Sequence, residues 1–571
     1  MALPGCCGRL RVRGDDRLRG RVLAMCVIAC AWGLASVLAN PVGDFPLCDD
    51  WSYGRSVVSL LGTGHLRFTG WVSMPLVVQT VWGALFCLPF GFSFTALRLS
   101  TLVLGMVALL AVYGVLREAG ARRDLAVLGS LTFGLNPLFL LLSYTFMTDV
   151  PFCALMALSL LLFMRGTRRR KPFETAGGVA VACAATMIRQ VGLVVPLVFA
   201  VGHLARHGMG RRSLAVALLP IAIAGALLGG YRAWLEGTHG LPAGYDVQAL
   251  RLLNTLRGPL PSVLAAFCKR GAVALVYLGL FLLPVLVPLV LRRRAVLGER
   301  RGGRGFWVNA VPAAFFVIAA GWVLVSGRAM PLSDNILSSA GLGPATLRDE
   351  FILHLHHLHE FPRPMWVAVT FASIGGGALL LTIVLPALGG WWHLGRARQP
   401  GPAGWVGLSM AVGAAVYFVP LGIAGYFDRY LIPLVLLVMV VVVAVTGAEA
   451  RIGTRGVVAS ASLLVLFGTF SVSATHDYLA WNRARWRAAR DLVEGARVSP
   501  SLIDGGFEFN GWYGYDPAYR QSTAKSWWWV RDDEYLIPFG AVRGYGEIRR
   551  YRYRHWLPPG EGAILVLRRQ S

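Results

Sequence analysis

Residues 22–53, VLAMCVIACAWGLASVLANPVGDFPLCDDWSY, lead from a long apolar segment to a pair of neighbouring carboxylates. The 18 residues from 22 to 39 are long enough for a membrane span. An arginine-rich start precedes them, as in a signal peptide, but the further apolar segments that follow favour an uncleaved first span. Asp49 and Asp50 therefore lie shortly after a membrane span.

The composition is that of a membrane protein. Of the 571 residues, 56% are hydrophobic and 15% are charged, a balance that soluble proteins of this length do not show. The net charge of +26 comes mostly from arginines in short gaps between apolar segments, where the positive-inside rule expects them. The charge therefore indicates topology, and nucleic acid is not an expected partner. The scattered cysteines lack the spacing of a zinc site.

Basic gaps alternate with apolar segments, which predicts about 13 spans and a cytoplasmic N-terminus. The apolar segment 74–90 would break this alternation if it crossed the membrane, so it is predicted to be an interfacial or re-entrant helix. The predicted fold class is an all-α polytopic membrane protein. After 22–39, the predicted spans are 94–116, 124–142, 150–165, 174–188, 190–204, 213–232, 271–291, 306–325, 364–386, 405–424, 430–447 and 456–474.

The tail has a different character. Residues 1–474 are predicted to form the transmembrane domain, with its first outer loop at 40–93, and residues 475–571 a small extracytoplasmic α/β domain. Within the tail, 478–496 has the pattern of an amphipathic helix, 499–516 that of a strand followed by aromatic turns, and GAILVLRR that of a closing strand. The aromatic residues in FNGWYGY and the three tryptophans at 527–529 are either a sugar-stacking surface or a belt on the membrane.

Ionisable residues near the ends of spans map to one predicted outer face. They are Asp49 and Asp50, Asp149 in SYTFMTDVPF, Arg189 in TMIRQVGLVVP, and Asp428 and Arg429 in GYFDRYLIP. Such groups are expensive near a bilayer, so those present tend to line a site. Carboxylates with arginines suit a reaction that removes a proton from an acceptor while cations hold a phosphate leaving group. Taken singly, each carboxylate could instead cap a helix, and each arginine could be an interfacial anchor.

The order of these motifs resembles the GT-C superfamily, multi-span glycosyltransferases that use polyprenyl-phosphate sugars, such as protein O-mannosyltransferases and the aminoarabinose transferase. The resemblance rests on DDWSY and LLGTG in the first outer loop, a helix led by Pro75, Arg98 at the start of the next span, and the segments MTDVP, IRQVGLVVP and DRYLIPL. It covers most of the chain and is strongest in the first 200 residues and near 428–433.

The resemblance implies transfer of a sugar from a polyprenyl phosphate at the extracytoplasmic face, with Asp49 as the general base. Asp50 and Asp149 complete the predicted catalytic set, although the family more often has Glu at the position of Asp50. The residues predicted to bind the lipid phosphate or the acceptor are Tyr53, Arg98, Arg189, Arg429 and Tyr430.

A divalent cation, Mg²⁺ or Mn²⁺, is the one cofactor that the sequence raises, and nothing in the sequence requires it. Asp50 and Asp149 are one candidate ligand set. In FILHLHHLHEF, a helix would place His356, His359 and Glu360 at metal-binding spacing, but an interfacial helix with a mixed polar face is the favoured interpretation.

The expected partners are a polyprenyl-phosphate-linked sugar, a lipid, glycan or protein acceptor, and the bilayer of a bacterial cell membrane. The alternatives are a transporter or lipid-linked sugar flippase, an envelope polysaccharide polymerase or ligase, and a non-catalytic accessory subunit. The chain shows no internal repeat and no cluster of polar residues at the middle of its spans, which disfavours a transporter. The loops 233–270 and 326–363 are expected to shape the pocket that selects sugar and acceptor.

Overall fold

The structure is a computed structural model. It describes residues 6–297, 306–333, 335–351, 353, 355, 358–392, 402–447, 452–520 and 529–570. Among these residues, ten helices are long and apolar enough to cross a membrane, and a four-stranded sheet lies near the C-terminus. The predicted fold class, a polytopic helical membrane protein with a small C-terminal α/β region, is confirmed.

The elements follow one another as a long series of helices with strands near the end. The α-helices are α1 (Cys6–Ala39), α2 (Asp50–Thr63), α3 (Val77–Cys87), α4 (Phe94–Glu118), α5 (Arg123–Gly134), α6 (Pro137–Leu142), α7 (Asp149–Arg169), α8 (Pro172–Thr186), α9 (Val194–His207), α10 (Arg211–Thr238), α11 (Val247–Leu256), α12 (Leu260–Leu297), α13 (Phe306–Ser326), α14 (Arg348–Phe351), α15 (Arg363–Trp392), α16 (Pro402–Ala424), α17 (Ile432–Thr446), α18 (Thr454–Arg490) and α19 (Phe507–Gly514). The strands are β1 (Leu337–Ser338), β2 (Gly341–Leu342), β3 (Ile503–Asp504), β4 (Tyr535–Leu536), β5 (Tyr545–Trp556) and β6 (Pro559–Arg569).

Ten of the predicted spans coincide with the ten long apolar helices of the described chain. The other three coincide with shorter helices: 124–142 with α5 and α6, 174–188 with α8, and 306–325 with α13, which scores as an apolar helix over Ala310–Ser326. The count of about 13 spans stays a prediction.

The break between α5 and α6 has a local cause. Asn136 caps α6 by accepting the backbone N–H groups of Leu138 and Phe139, and Pro137 occupies the first turn. Because proline has no N–H and disfavours a helical conformation in the residue before it, these residues favour a break between α5 and α6.

The helices differ in how much of their surface the rest of the protein covers. For α4, α7, α12 and α17, 72–78% of the most apolar stretch is buried, so these helices form the centre of the bundle. For α1, α10 and α18 the value is 17–28%. Apolar side chains that remain exposed on such helices are expected to face lipid.

The apolar segment 74–90, predicted to be an interfacial or re-entrant helix, forms only the 11-residue α3. At 1.5 Å per residue this helix is about 16 Å long, roughly half of the hydrocarbon thickness. Its start is tied to the turn after α8, because Val77 donates its N–H to the carbonyl of Met187 at 3.0 Å. The short helix agrees with an interfacial or re-entrant segment, and it brings the loop before α3 beside Arg189.

The tail begins on a helix that has already crossed the bundle. The amphipathic helix predicted at 478–496 exists, but it continues the predicted span 456–474 as one 37-residue helix, α18. The sheet order is β3-β4-β6-β5, with β3 and β4 parallel and the other pairs antiparallel. The closing strand is confirmed as β6. The prediction of aromatic turns after β3 is wrong, since α19 occupies that position.

Candidate active site

A cavity of about 870 Å³ lies between the helical bundle and the tail, at the end of the bundle predicted to be the outer one. The tail contributes aromatic side chains to its wall, among them Phe507, Tyr515 and Trp529. From the bundle and its loops, the wall contains five of the residues predicted from sequence: Asp49, Tyr53, Arg189, Arg429 and Tyr430.

Asp49 is one of the residues that line this cavity. It occupies the N-cap position of α2, yet its side chain makes no capping hydrogen bond, so the capping alternative does not apply to its carboxylate. Oδ1 accepts the indole N–H of Trp71 at 2.8 Å, and Oδ2 lies 3.9 Å from Nη2 of Arg429. The side chain is 18% exposed, enough for contact with a substrate.

The surroundings of Asp49 act on its pKa in opposite directions. Burial raises the pKa above the ordinary range of an aspartate. The guanidinium of Arg429 and the hydrogen bond from Trp71 lower it, and the neighbouring carboxylate of Asp149 raises it further. The net shift is upward, which makes Asp49 a stronger base than an exposed aspartate while two partners favour its ionised form.

Asp50 differs from its neighbour in every contact. Its Oδ1 accepts the backbone N–H of Phe146 at 2.8 Å, and its Oδ2 accepts that of Leu47 at 3.2 Å. The residue is 2% exposed and does not line the cavity. Burial raises its pKa to about 8, partly offset by these N–H groups and by Arg98. Asp50 thus joins the loop before α2 to the loop before α7.

Asp149 and Arg189 form an ion pair at the cavity. Asp149 is the first residue of α7, and Arg189 Nη1 donates to its Oδ1 at 2.7 Å. Asp149 Oδ2 is buried and has no hydrogen-bond partner in the described part of the chain. The Arg189 guanidinium lies 5.2 Å from the ring centroid of Tyr430. The pair therefore leaves one carboxylate oxygen of Asp149 without a hydrogen bond in the described part of the chain.

Arg429 lines the same cavity beside this pair. Its guanidinium carbon lies 5.5 Å from the ring centroid of Tyr430, so one tyrosine ring faces both arginines. Arg429 is 12% exposed, and its buried Nε has no hydrogen-bond partner among the residues that the structure describes. Two guanidinium groups on one cavity wall form an arrangement that suits a phosphate.

Residues 73–230 match the family model described as dolichyl-phosphate-mannose-protein mannosyltransferase. This match confirms the resemblance to the GT-C glycosyltransferases. The matched segment contains Asp149 and Arg189, whereas Asp49 and Arg429 lie outside it. No curated protein matches the chain.

Solved structures of GT-C proteins also match the chain at low similarity. ArnT from Cupriavidus metallidurans in the apo state matches with 14% identity and a TM-score of 0.37, covering 96% of this chain and 97% of that one. The same enzyme bound to undecaprenyl phosphate matches with 13% identity and a TM-score of 0.35, covering 96% of this chain and 97% of that one. An oligosaccharyltransferase from Archaeoglobus fulgidus, in complex with Zn and sulfate, matches with 14% identity and a TM-score of 0.39, covering 88% of this chain and 58% of that one.

Arg98 is the predicted phosphate ligand that the structure does not bring into the cavity. It is 1% exposed, and Nε donates to the carbonyl of Tyr144 at 2.7 Å. Its Nη1 donates to the carbonyls of Pro41 and Gly43, and its Nη2 to that of Phe45. These contacts tie the loop after α1 to the end of α6, so the guanidinium is a structural clamp.

Tyr53 lines the cavity beside Asp49 as a neutral phenol. Its hydroxyl donates to Sδ of Met74 at 3.8 Å. Burial raises the pKa of Tyr53 well above its ordinary range, so the hydroxyl keeps its proton at neutral pH.

The sequence did not predict a role for Glu508 at this site. Its Oε1 accepts the N–H of Cys48, the residue before Asp49, at 3.1 Å. Its Oε2 accepts from Arg485 at 2.8 Å and from the hydroxyl of Thr346 at 2.5 Å. Glu508 and Arg485 are 0% and 1% exposed. A fully buried ion pair of the tail thus fixes the backbone that carries Asp49.

The described residues do not fit a metal site. They contain no group of three His, Cys, Asp or Glu side chains placed to hold a metal ion. Both oxygens of Asp50 accept backbone N–H groups, and Glu360 accepts the hydroxyl of Ser339 at 2.9 Å. His359 lies in a small separate cavity, and His356 is outside the described residues.

Proposed function

We propose that this protein is an inverting membrane glycosyltransferase that moves a sugar from a polyprenyl phosphate to an acceptor hydroxyl at the extracytoplasmic face. The observation that carries the proposal is the position of Asp49. This partly buried carboxylate lines a cavity that two arginines also line. The match of residues 73–230 to a mannosyltransferase family supports the reaction class.

The proton transfer is assigned to Asp49. Trp71 holds Oδ1, which leaves Oδ2 to accept the proton of the acceptor hydroxyl. The acceptor oxygen then attacks the anomeric carbon from the side opposite the phosphate, and the bond between that carbon and the phosphate oxygen breaks. The electron pair leaves with the lipid phosphate, and the configuration at the anomeric carbon inverts.

The two arginines are assigned to the leaving phosphate. Negative charge grows on the phosphate oxygen as its bond to the sugar breaks, and guanidinium contacts strengthen with that charge. Arg429 lines the cavity, while Asp149 orients Arg189 through their ion pair. Tyr430 lies against both guanidinium groups and keeps them on one wall.

The tail is assigned to the acceptor side. Phe507 and Trp529 are stacked with ring centroids 5.9 Å apart, and both line the cavity. Aromatic faces offer contact to the C–H faces of a pyranose or to other apolar parts of an acceptor. A lipid, a glycan and a protein hydroxyl all remain candidate acceptors.

The test follows product formation by purified protein in lipid nanodiscs that contain a synthetic polyprenyl-phosphate sugar. Asp49→Asn keeps the size of the side chain and removes the base, so we expect kcat to fall about 10²- to 10⁴-fold. Asp246→Asn is the control, because Asp246 is 41% exposed, pairs with Arg232 and does not line the cavity. Wild-type turnover by Asp49→Asn would show that another group is the base. Movement of the lipid across the membrane without sugar transfer would contradict the proposal and indicate a flippase.

A further inference from the structure

A second concave surface lies between α18 and β5, away from the cavity that holds Asp49. It is a groove of about 330 Å³, and its lining shares no residue with that cavity. Four arginines line it: Arg483 and Arg487 from α18, and Arg552 and Arg554 from β5. We call this surface the arginine groove.

The sequence places these arginines on facing surfaces. On α18, His476, Ala480, Arg483 and Arg487 are spaced by three or four residues, which is one face of a helix. On β5, Arg552 and Arg554 alternate with inward residues and so share one face of the strand. The groove is therefore built by the regular periods of both elements.

The positive charge of the groove is only partly neutralised. Glu561 is shared between Arg552, at 3.9 Å, and Arg554, at 3.5 Å. Arg483 donates to backbone carbonyls, that of Val42 at 2.9 Å and that of Asn40. Arg487 is exposed and has no ion pair among the described residues. Among the described residues, the groove lining therefore contains four arginines and no carboxylate, and the nearest carboxylates are Glu561 and the Asp477 that pairs with His476.

The same contacts fix the depth of the groove relative to the membrane. The candidate span of α1 ends at Ala39, and Arg483 binds the carbonyls just after it. The groove therefore lies at the level of the lipid headgroups. Below it, α1 exposes the apolar side chains Leu34, Val37 and Leu38, which are 62%, 75% and 45% exposed.

We propose that the arginine groove binds an anionic phospholipid of the surrounding leaflet. Guanidinium groups of Arg487 and Arg554 bind the headgroup phosphate, and the acyl chains lie along the exposed apolar face of α1. The apolar face beside the groove is the reason to assign a lipid over a free phosphate. Such a lipid would attach the tail to the bilayer beside the first span.

The test measures phospholipid retention by native mass spectrometry of the full chain, delipidated in detergent and then given phosphatidylglycerol or phosphatidylcholine. We expect the wild type to retain phosphatidylglycerol preferentially. Replacing Arg487 and Arg554 together by Ala is expected to weaken this retention about tenfold or more. The matched control replaces Arg549 and Arg550 by Ala. Both arginines lie on β5 outside the groove, and their substitution removes the same total charge as the groove variant.

Three results would overturn the proposal: equal loss in the control, equal retention of both lipids by the wild type, or retention unchanged in the groove variant. A further arm adds inorganic phosphate. If phosphate alone binds with the same dependence on Arg487 and Arg554 and lipid does not, the occupant is free phosphate and the lipid assignment is wrong. Thermal unfolding checks that the variant is folded, and the single variant Arg487→Ala, with an expected loss of about fivefold, provides a second reading.

Discussion

Two arginine-centred regions at the same end of the bundle have opposite designs. Around Arg98, backbone carbonyls of three loop residues and of Tyr144 accept the guanidinium hydrogens, and the side chain is 1% exposed. Around Arg429, the aromatic rings of Phe427 and Tyr430 and a carboxylate at 3.9 Å leave a buried Nε without a partner in the described chain.

The difference shows how to separate a structural from a functional cation in a membrane protein. A guanidinium already bonded to backbone carbonyls has little to offer a substrate, and its removal leaves those carbonyls unsatisfied. A guanidinium with an unpartnered donor on a cavity wall keeps its hydrogen-bonding capacity for a ligand. Both arginines were predicted to bind substrate, so substitution of each tests the distinction.

The largest effect is expected for Arg98→Met. The variant leaves several buried carbonyls without a donor, and at about 1–3 kcal/mol each the loss of stability should exceed roughly 3 kcal/mol. The measurement is thermal unfolding in detergent together with the elution profile of the purified protein. A variant with wild-type stability and weakened donor binding would contradict the structural role and indicate that Arg98 binds the donor.

The next effect is expected for Arg429→Gln. Loss of hydrogen bonds to a charged phosphate should weaken binding of the polyprenyl-phosphate donor about 10- to 100-fold. The unfolding temperature should change little, because the cavity wall keeps a polar side chain with the same first three carbons.

The control for that measurement is Arg251→Gln, on the exposed face of α11 and outside the cavity. Donor affinity is measured by titration with fluorescent polyprenyl phosphate. Equal affinity in wild type and Arg429→Gln would remove Arg429 from the phosphate site and leave only Arg189.

The smallest effect is expected for Trp71→Phe, which removes the hydrogen bond to Oδ1 of Asp49. That bond lowers the pKa of Asp49, so its loss raises the pKa above the value that burial already elevates. A general base works only when deprotonated, and the acidic limb of the kcat profile should therefore move to higher pH. The alkaline plateau should stay near that of the wild type.

Trp82→Phe is the matched control, since its indole donates to the carbonyl of Ser100 at 3.0 Å and does not line the cavity. The pH profile of kcat in this variant should match the wild type. An acidic limb that also stays in place in Trp71→Phe would contradict the assignment of Asp49 as the base.

The sequence was sufficient to place Asp49, Asp149, Arg189 and Arg429 on one face, because the positive-inside rule assigns every span end to a side. The structure brings these four residues to a shared cavity or to its edge. The sequence could not separate Asp49 from Asp50, or Arg98 from Arg429. Which way a side chain points at a span end depends on loop backbone positions, such as the carbonyls around Arg98, that no residue pattern reports.

The contribution of the tail was also beyond the sequence. Glycines and aromatic residues at 505–515 favour turns, yet the segment folds as α19 because Phe507 and Phe509 are buried against the bundle and the tail. Glu508 meets the N–H of Cys48 across 460 residues of chain. A contact of such separation has no periodicity or spacing that could announce it.

The unbroken path of α18 from the bundle into the tail has a mechanical consequence. Rotation along a helix is about 100° per residue, so one alanine inserted near residue 475 would turn everything beyond it and carry Glu508 away from the N–H of Cys48. Four inserted residues would nearly restore the angle but displace the tail by about 6 Å. The rotation of α18 therefore sets how the tail is oriented over Asp49. The turnover rate of insertion variants should depend more on the rotation that the inserted residues cause than on how many residues are inserted.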